Sequence, residues 1–208
     1  MVKLITLKKG YYDVNGYFYI NEDTGSGFLF DPGAQGKLLA DIIDEKGWNI
    51  EKIIITHGHF DHIDGIKELR EYKNIPIFIH ENGKQFLTDP YFNLSAMAGV
   101  GEIRLEADGY FKDGDVIETV DKGLSLRVIH TPGHTDDSCV FYSEKDGLAF
   151  TGDTIFKGTY GNYRFPTGDH KLLLKTIREK VLTLPPETVL YSGHTGPTTV
   201  EAERELYI

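Results

Sequence analysis

Residues 56–62 read Thr-His-Gly-His-Phe-Asp-His, directly after the apolar run Ile53–Ile55, and no other stretch restricts the fold as tightly. Three histidines and one aspartate fall within six residues. Imidazole and carboxylate are the ligands of zinc, iron and manganese sites. A short, wholly apolar run is the pattern of a strand buried on both faces. Alternate residues of an extended chain share a side, so His57 and His59 are expected to point together. Gly58 between them permits an unusual backbone angle and a close approach. Asp61 and His62 open the next helix, marked by Ile63, Ile66 and Leu69, and turn toward a second nearby point.

An isolated His-rich turn would be a surface feature. Here the pattern recurs. His134 lies in Thr131–Thr135 (TPGHT) after a strand ending at Ile129, Asp153 in Phe150–Thr154 (FTGDT) after Leu148–Phe150, and His194 in Tyr191–Thr195 (YSGHT) after Val189–Tyr191. Each is preceded by Gly and follows a strand-like run. Strand ends converge on one edge of a sheet, where open α/β folds bind their ligands. His57, His59, Asp61, His62, His134, Asp153 and His194 are thereby expected to meet.

The rest of the chain supplies the scaffold. Strands are expected at 14–20 and 27–31, with a turn around Glu22–Gly25, then at 53–55, 77–79, 115–120, 124–130, 138–142, 148–151 and 189–192. Helical stripes run from Ala34 to Lys46, stopped by Gly47, and through Leu173, Ile177 and Val181, capped by Asp169. A short helix is expected near 199–206. Two β-rich halves, each with helices, indicate a layered α/β fold over residues 1–208 as one domain. Residues 89–110 lack periodicity and are read as a loop near the active face.

Composition narrows the function. Lys plus Arg is 22 and Asp plus Glu is 32, a net charge of −10, which does not gather phosphate backbones. The expected partner is a small molecule, not nucleic acid. No apolar run approaches the roughly 18 residues that span a bilayer. The opening MVKLITLKKG is too short and polar for a signal-peptide core, so a cytoplasmic location is expected. The single cysteine, Cys139, excludes an internal disulfide and reads as a core residue of an apolar run. His80 is expected to cap or pack at a strand end, His130 to be a buried hydrogen-bonded residue, and His170 to start a surface helix. Tyr160, Tyr163 and Phe165 sit in a Gly-rich loop after Asp153 and are candidates for a pocket wall.

Taken together, Asn15–Phe18, Asp31–Gly33, THGHFDH, TPGHT, TGDTIF and SGHTGPTT resemble, in order, the metallo-β-lactamase-fold hydrolases, and most closely the glyoxalase II-like branch. The resemblance covers most of the chain. It implies a four-layer αββα sandwich with a metal site at one edge of the two sheets. It implies that His57, His59 and His134 bind a first metal, that Asp61, His62 and His194 bind a second, and that Asp153 bridges them. The cofactors implied are two divalent ions, zinc first, with iron or manganese as alternatives. The implied chemistry is hydrolysis of a small thioester or ester by a hydroxide bridging the metals, with Asp61 as a catalytic residue that orients the nucleophile.

The sequence also departs from that branch. Only 14 residues follow His194, so the C-terminal helical region that holds glutathione in glyoxalase II is expected to be missing. The loop Gly161–Pro166 reads GNYRFP in place of a GRTDFP-like string, and Asp136-Asp137 replace Pro-Gly. Lys157, Tyr163 and Arg164 are candidate substrate contacts there. An iron-dependent persulfide dioxygenase, using His57, His134 and Asp153 around one iron, is the alternative. Phosphodiester cleavage is a further alternative, disfavoured by the acidic balance. β-Lactam hydrolysis is disfavoured by the lack of an export signal. A non-catalytic metal-stabilised module fits less well, because seven ligands over two metals leave open positions.

Overall fold

The computed structural model describes residues 2–8, 13–33 and 35–207, with side chains from residue 13 onward. Two six-stranded sheets face each other. The first consists of β1 (Val2–Lys8), β2 (Asn15–Asn21), β3 (Ser26–Phe30), β4 (Asn49–Ile54), β5 (Ile77–His80) and β6 (Gly109–Phe111), adjacent in chain order. β1, β2 and β3 pair antiparallel, while β3 to β6 pair in parallel. The second consists of β7 (Val116–Glu118), β8 (Ser125–His130), β9 (Cys139–Ser143), β10 (Leu148–Gly152), β11 (Val189–Ser192) and β12 (Thr198–Thr199), again in chain order. Only β10 and β11 pair in parallel there.

The parallel steps require crossovers, and helices supply them. α1 (Gly36–Lys46) joins β3 to β4 and buries Leu39, Ala40 and Ile43. Its C-terminus closes on Gly47 at φ 65°, a left-handed conformation that glycine adopts without strain. The expected start of this helix at Ala34 lies outside the described residues. α2 (Phe60–Ile63) and α3 (Ile66–Tyr72) follow β4, so the single helix expected to open at Asp61 and His62 and to run through Ile63, Ile66 and Leu69 is two pieces. α4 (Lys84–Thr88) and α5 (Ser95–Ala98) lie between β5 and β6. α6 (His170–Thr176) continues through a π-turn to Val181, capped as expected by Asp169, whose carboxylate accepts from the Leu172 N–H at 2.9 Å. α7 (Val200–Arg204) ends the fold. Among the described residues no helix is long and apolar enough to cross a membrane.

Three cores follow from this layering. Leu39, Ile43, Ile66 and Leu69 pack on the outer face of the first sheet, and Leu173, Ile177 and Val181 on the outer face of the second. Between the sheets lies an aromatic layer of Tyr17, Tyr19, Phe28, Phe30, Phe141 and Phe150. Successive residues of β4 and β9 thus face different cores, as Ile53 and Ile54 and Val140 and Phe141 do, which is why both faces of these two strands are apolar. The arrangement is the expected αββα sandwich. Cys139 is buried in the inter-sheet layer.

Candidate metal centre

All seven predicted ligands come together at one edge of the paired sheets. His57 and His59 follow β4, Asp61 and His62 lie in α2, and His134, Asp153 and His194 follow β8, β10 and β11. The turns are held from behind. Asn15 on β2 donates its Nδ2 to the carbonyls of Ser192 and Thr195 at 2.9 and 2.8 Å, and Tyr17 donates its hydroxyl to Ser192 at 2.6 Å. The first sheet thereby fixes the turn that carries His194. In the other direction, the Cys139 N–H donates to the Thr56 carbonyl at 2.9 Å.

Three nitrogens converge: His57 Nε2, His59 Nδ1 and His134 Nε2 stand 3.0 to 3.1 Å apart. Ligand nitrogens around a tetrahedral ion stand about 3.3 Å apart, so this triangle suits one ion. The convergence does not come from strand alternation. Residues 57–59 have already left β4, and the two histidines use different ring nitrogens. Gly58 is needed for closeness rather than for an unusual angle, since an added Cβ would press on Phe86 at 2.5 Å.

A second group lies alongside. Asp61 Oδ2 is 3.3 Å from His194 Nε2. Asp153 stands between the groups, with Oδ2 3.7 Å from His134 Nε2 and 3.4 Å from His194 Nε2, and Oδ1 3.3 Å from His62 Nε2. His62 Nε2 and Asp153 Oδ1 are buried and hydrogen-bonded to nothing among the described residues. A buried polar atom without a partner is costly. A cation between them would satisfy both, so the donor set fits two divalent ions with a shared carboxylate. The glycines before the ligands give that room: a Cβ at Gly193 would collide with Asp153 Oδ1 and His62.

The electrostatics match. Burial, reinforced by the neighbouring imidazoles, holds His57 and His59 well below the ordinary histidine range, and burial lowers His134, so all three offer lone pairs. Burial opposes the charged form of His62, but Asp31, Asp153 and Asp61 outweigh it and hold His62 well above that range. His194 is raised to about 9, since hydrogen bonds to Asp153 and Asp61 outweigh its burial. Burial likewise opposes ionisation of Asp153, but His62 and His194 keep it ionised. Protons on His62 and His194 thus occupy the place of metal charge and must leave when ions bind.

Asp31 supports the candidate ligands in a way that the histidine-bearing strings do not assign. It lies just past β3 at φ 43°, fully buried. Its Oδ1 accepts from the Thr56 N–H at 2.8 Å, and its Oδ2 accepts from the Thr56 hydroxyl at 2.7 Å and from His62 Nδ1 at 3.0 Å. The Thr56 hydroxyl in turn lies 3.3 Å from His57 Nδ1. One carboxylate therefore orients an imidazole in each group. Gly33, two residues on, cannot carry a Cβ without striking the Asp61 carbonyl. The string Asp31-Pro32-Gly33 was the available signal. Asp31→Ala is expected to weaken metal binding by about 10- to 100-fold, read by chelator competition.

Other positions are now placed. His134 Nδ1 donates to the Asn162 carbonyl at 2.7 Å, which leaves Nε2 for the centre. Thr131 and Thr154 share a hydroxyl hydrogen bond at 2.8 Å, and Thr135 and Ser138 one at 2.6 Å. Asp137 is buried and accepts the Gly58 N–H at 2.9 Å, and its carboxyl is pushed up to about 7 by burial. His80 accepts from the Asn82 N–H and stacks on His130, whose Nε2 donates to the Asp136 carbonyl. The centre opens into a cavity of about 470 Å³. Phe165 lines it, but Lys157, Tyr163 and Arg164 do not. Tyr163 stacks on His170 at 4.1 Å, and the Arg164 guanidinium lies 5.8 Å from the Tyr163 ring centre.

Comparison with known proteins places this geometry in context. A family model of the metallo-beta-lactamase superfamily matches residues 11–194. The probable metallo-hydrolase YqgX of Bacillus subtilis is 36% identical over 191 residues, covering 92% of this chain and 89% of that protein. The hydroxyacylglutathione hydrolase GloC of Haemophilus influenzae is 29% identical over 185 residues, covering 88% of this chain and 86% of that protein. The crystal structure of BLEG-1 B3 metallo-beta-lactamase superposes with a TM-score of 0.91 at 30% identity, covering 98% of this chain and 97% of that one.

Proposed function

The chain belongs to the metallo-beta-lactamase superfamily, and from that premise we propose that it is a hydrolase of small thioesters or esters that holds two divalent ions, zinc in the first instance. The observation that carries the reading is Asp153, a carboxylate between two ligand groups that open into one cavity. His57, His59 and His134 would hold one ion, Asp61, His62 and His194 the other, and Asp153 both. Ions bound there would polarise an ester carbonyl and acidify a water molecule.

The residues around the ions fit attack by water. No Ser or Cys is among the residues lining the cavity, and Cys139 is buried elsewhere. Asp61 borders the cavity and is held below the ordinary carboxylate range, since His62 and His194 outweigh its burial. An ionised Asp61 can accept a hydrogen bond from the attacking water and orient it. A thiolate departs without a proton, whereas an amide nitrogen needs an acid, so thioesters suit this site best. GloC, named for such an activity, is a relative consistent with this reading.

The test is metal analysis of protein purified without chelator, paired with a thioester and ester panel that includes S-lactoylglutathione. Two ions per chain and hydrolysis lost in His59→Ala are expected. Turnover no faster than in His59→Ala would overturn the assignment, and one iron per chain with oxygen uptake would point to sulfur oxidation instead.

A further inference from the structure

The wall of the cavity above the metal ligands is apolar. Phe60, Leu94, Met97, Ala98, Phe156 and Phe165 make it, with Asn162 as the one polar addition. Among the described residues no lysine or arginine lines it. The charged groups present are Asp61, Asp153 and the histidines of the centre. A substrate carrying carboxylates would find no cation among these residues beyond the metal ions, on a chain whose net charge is −10.

This wall is built and not a chance opening. Phe165 meets His59 edge-on at 5.4 Å, and Phe156 meets His194 edge-on at 5.8 Å, so aromatic rings flank both ligand groups. The opposite side is the segment 94–98. Leu94 is held at φ 68°, a conformation costly for a leucine and found where surroundings impose it. Fully buried Asn93 imposes it. Its Nδ2 donates to the carbonyls of Phe86 and Ile103, both at 2.9 Å, its Oδ1 accepts from the Ser95 N–H at 3.0 Å, and its carbonyl accepts from the Phe60 N–H at 2.8 Å. The result holds Met97 at the cavity mouth with 65% of its surface in water. An exposed thioether beside apolar rings is surface that a ligand can cover.

We propose that the substrate is an uncharged ester or thioester with an apolar acyl chain, which lies along Leu94, Met97, Phe156 and Phe165 and replaces their contact with water. This rests on the hydrolase reading above. In the reaction, the water oxygen bonds to the acyl carbon, the carbon–sulfur or carbon–oxygen bond breaks, and the products are a carboxylic acid and a thiol or alcohol. Burying each further methylene favours binding, and turnover at low substrate should rise by about threefold per methylene until the cavity is filled.

The test uses the metal-loaded protein and a matched set: acetyl, butyryl, hexanoyl and octanoyl thioesters of neutral N-acetylcysteamine, and the octanoyl thioester of anionic glutathione. Expected results are a kcat/KM that climbs with chain length through KM, and at least a tenfold preference for the neutral octanoyl carrier. Met97→Lys should weaken the neutral octanoyl substrate at least fivefold and narrow the gap to the glutathione one, while Met97→Leu should restore the original order. A non-hydrolysable octyl thioether of N-acetylcysteamine should bind saturably by calorimetry, and at least fivefold more weakly to Met97→Lys. Hydrolysis that is flat with chain length, or that prefers glutathione thioesters, overturns this proposal and leaves the hydrolase reading standing. Turnover of every substrate at the level of His59→Ala overturns both.

Discussion

Asp153→Asn is expected to lose at least about 10³-fold in hydrolysis and to retain one ion per chain or fewer, because the Asp153 carboxylate lies 3.7 Å from His134 Nε2 in one ligand group and 3.3 and 3.4 Å from His62 and His194 Nε2 in the other. The amide keeps the shape of the carboxylate but neither its charge nor its second ligating oxygen. The measurements are metal content after gel filtration and kcat/KM at saturating metal. The metal-free protein gives an independent readout. His194 is raised from 6.5 to about 9 with Asp153 among the causes, so its midpoint should fall toward 6.5 in the variant, as seen by NMR titration. The sign of the accompanying stability effect follows. A histidine whose folded value is raised stabilises the folded chain fully below pH 6.5, and that contribution is lost as pH rises through about 9. The metal-free parent should therefore weaken over that interval, and the variant should weaken less. An unchanged metal content with near-parent activity would remove Asp153 from the centre.

Phe150→Ala should cost about 3–5 kcal/mol in urea unfolding. Phe150 is 1% exposed and lies in the aromatic layer between the sheets. Its ring stacks on Phe30 at 4.0 Å and 18°, and it contacts Tyr17 and Tyr19 with centroids at 5.4 Å. Removing it leaves a void bounded by rings from both sheets, which cannot collapse without moving a strand. Phe150→Leu keeps most of the volume and should cost less than half as much. The loss should also reach the centre, since Phe150 lies on β10, which ends one residue before Asp153. A cost below about 1 kcal/mol would mean that the sheets are held mainly by other contacts.

The convergence of the seven candidate side chains was legible in the sequence because they sit in short glycine-containing strings at strand ends, where local chemistry and fold agree. The helix stripes and the caps at Gly47 and Asp169 were legible for the same reason. What was not legible depends on partners far away along the chain. Asp31 serves Thr56 and His62 across 25 and 31 residues, and the Asp31-Pro32-Gly33 string marks its position but not those partners. The wall at 94–98 lay in a stretch without periodicity, because its shape comes from the hydrogen bonds of one buried asparagine. Alternation explained the His57–Gly58–His59 string less well than the loop does, since the chain bends before the histidines. Tyr163 and Arg164 were candidates for the substrate side by position alone, but π-stacking takes Tyr163 to His170 and away from the cavity.

The tie between Asn15 and the turn carrying His194 has a consequence for assembly. His57, His59, Asp61 and His62 arrive with the first sheet, and His134, Asp153 and His194 with the second, so neither half alone can chelate completely. Ions that bind only the docked form act as a clasp across the seam and add stability by mass action. A chelator should therefore lower the resistance of the inter-sheet seam to opening before it affects either sheet itself, and exchange of the Asn15 and Cys139 amides, which donate across the seam to the Gly193 and Thr56 carbonyls, should report that first yielding.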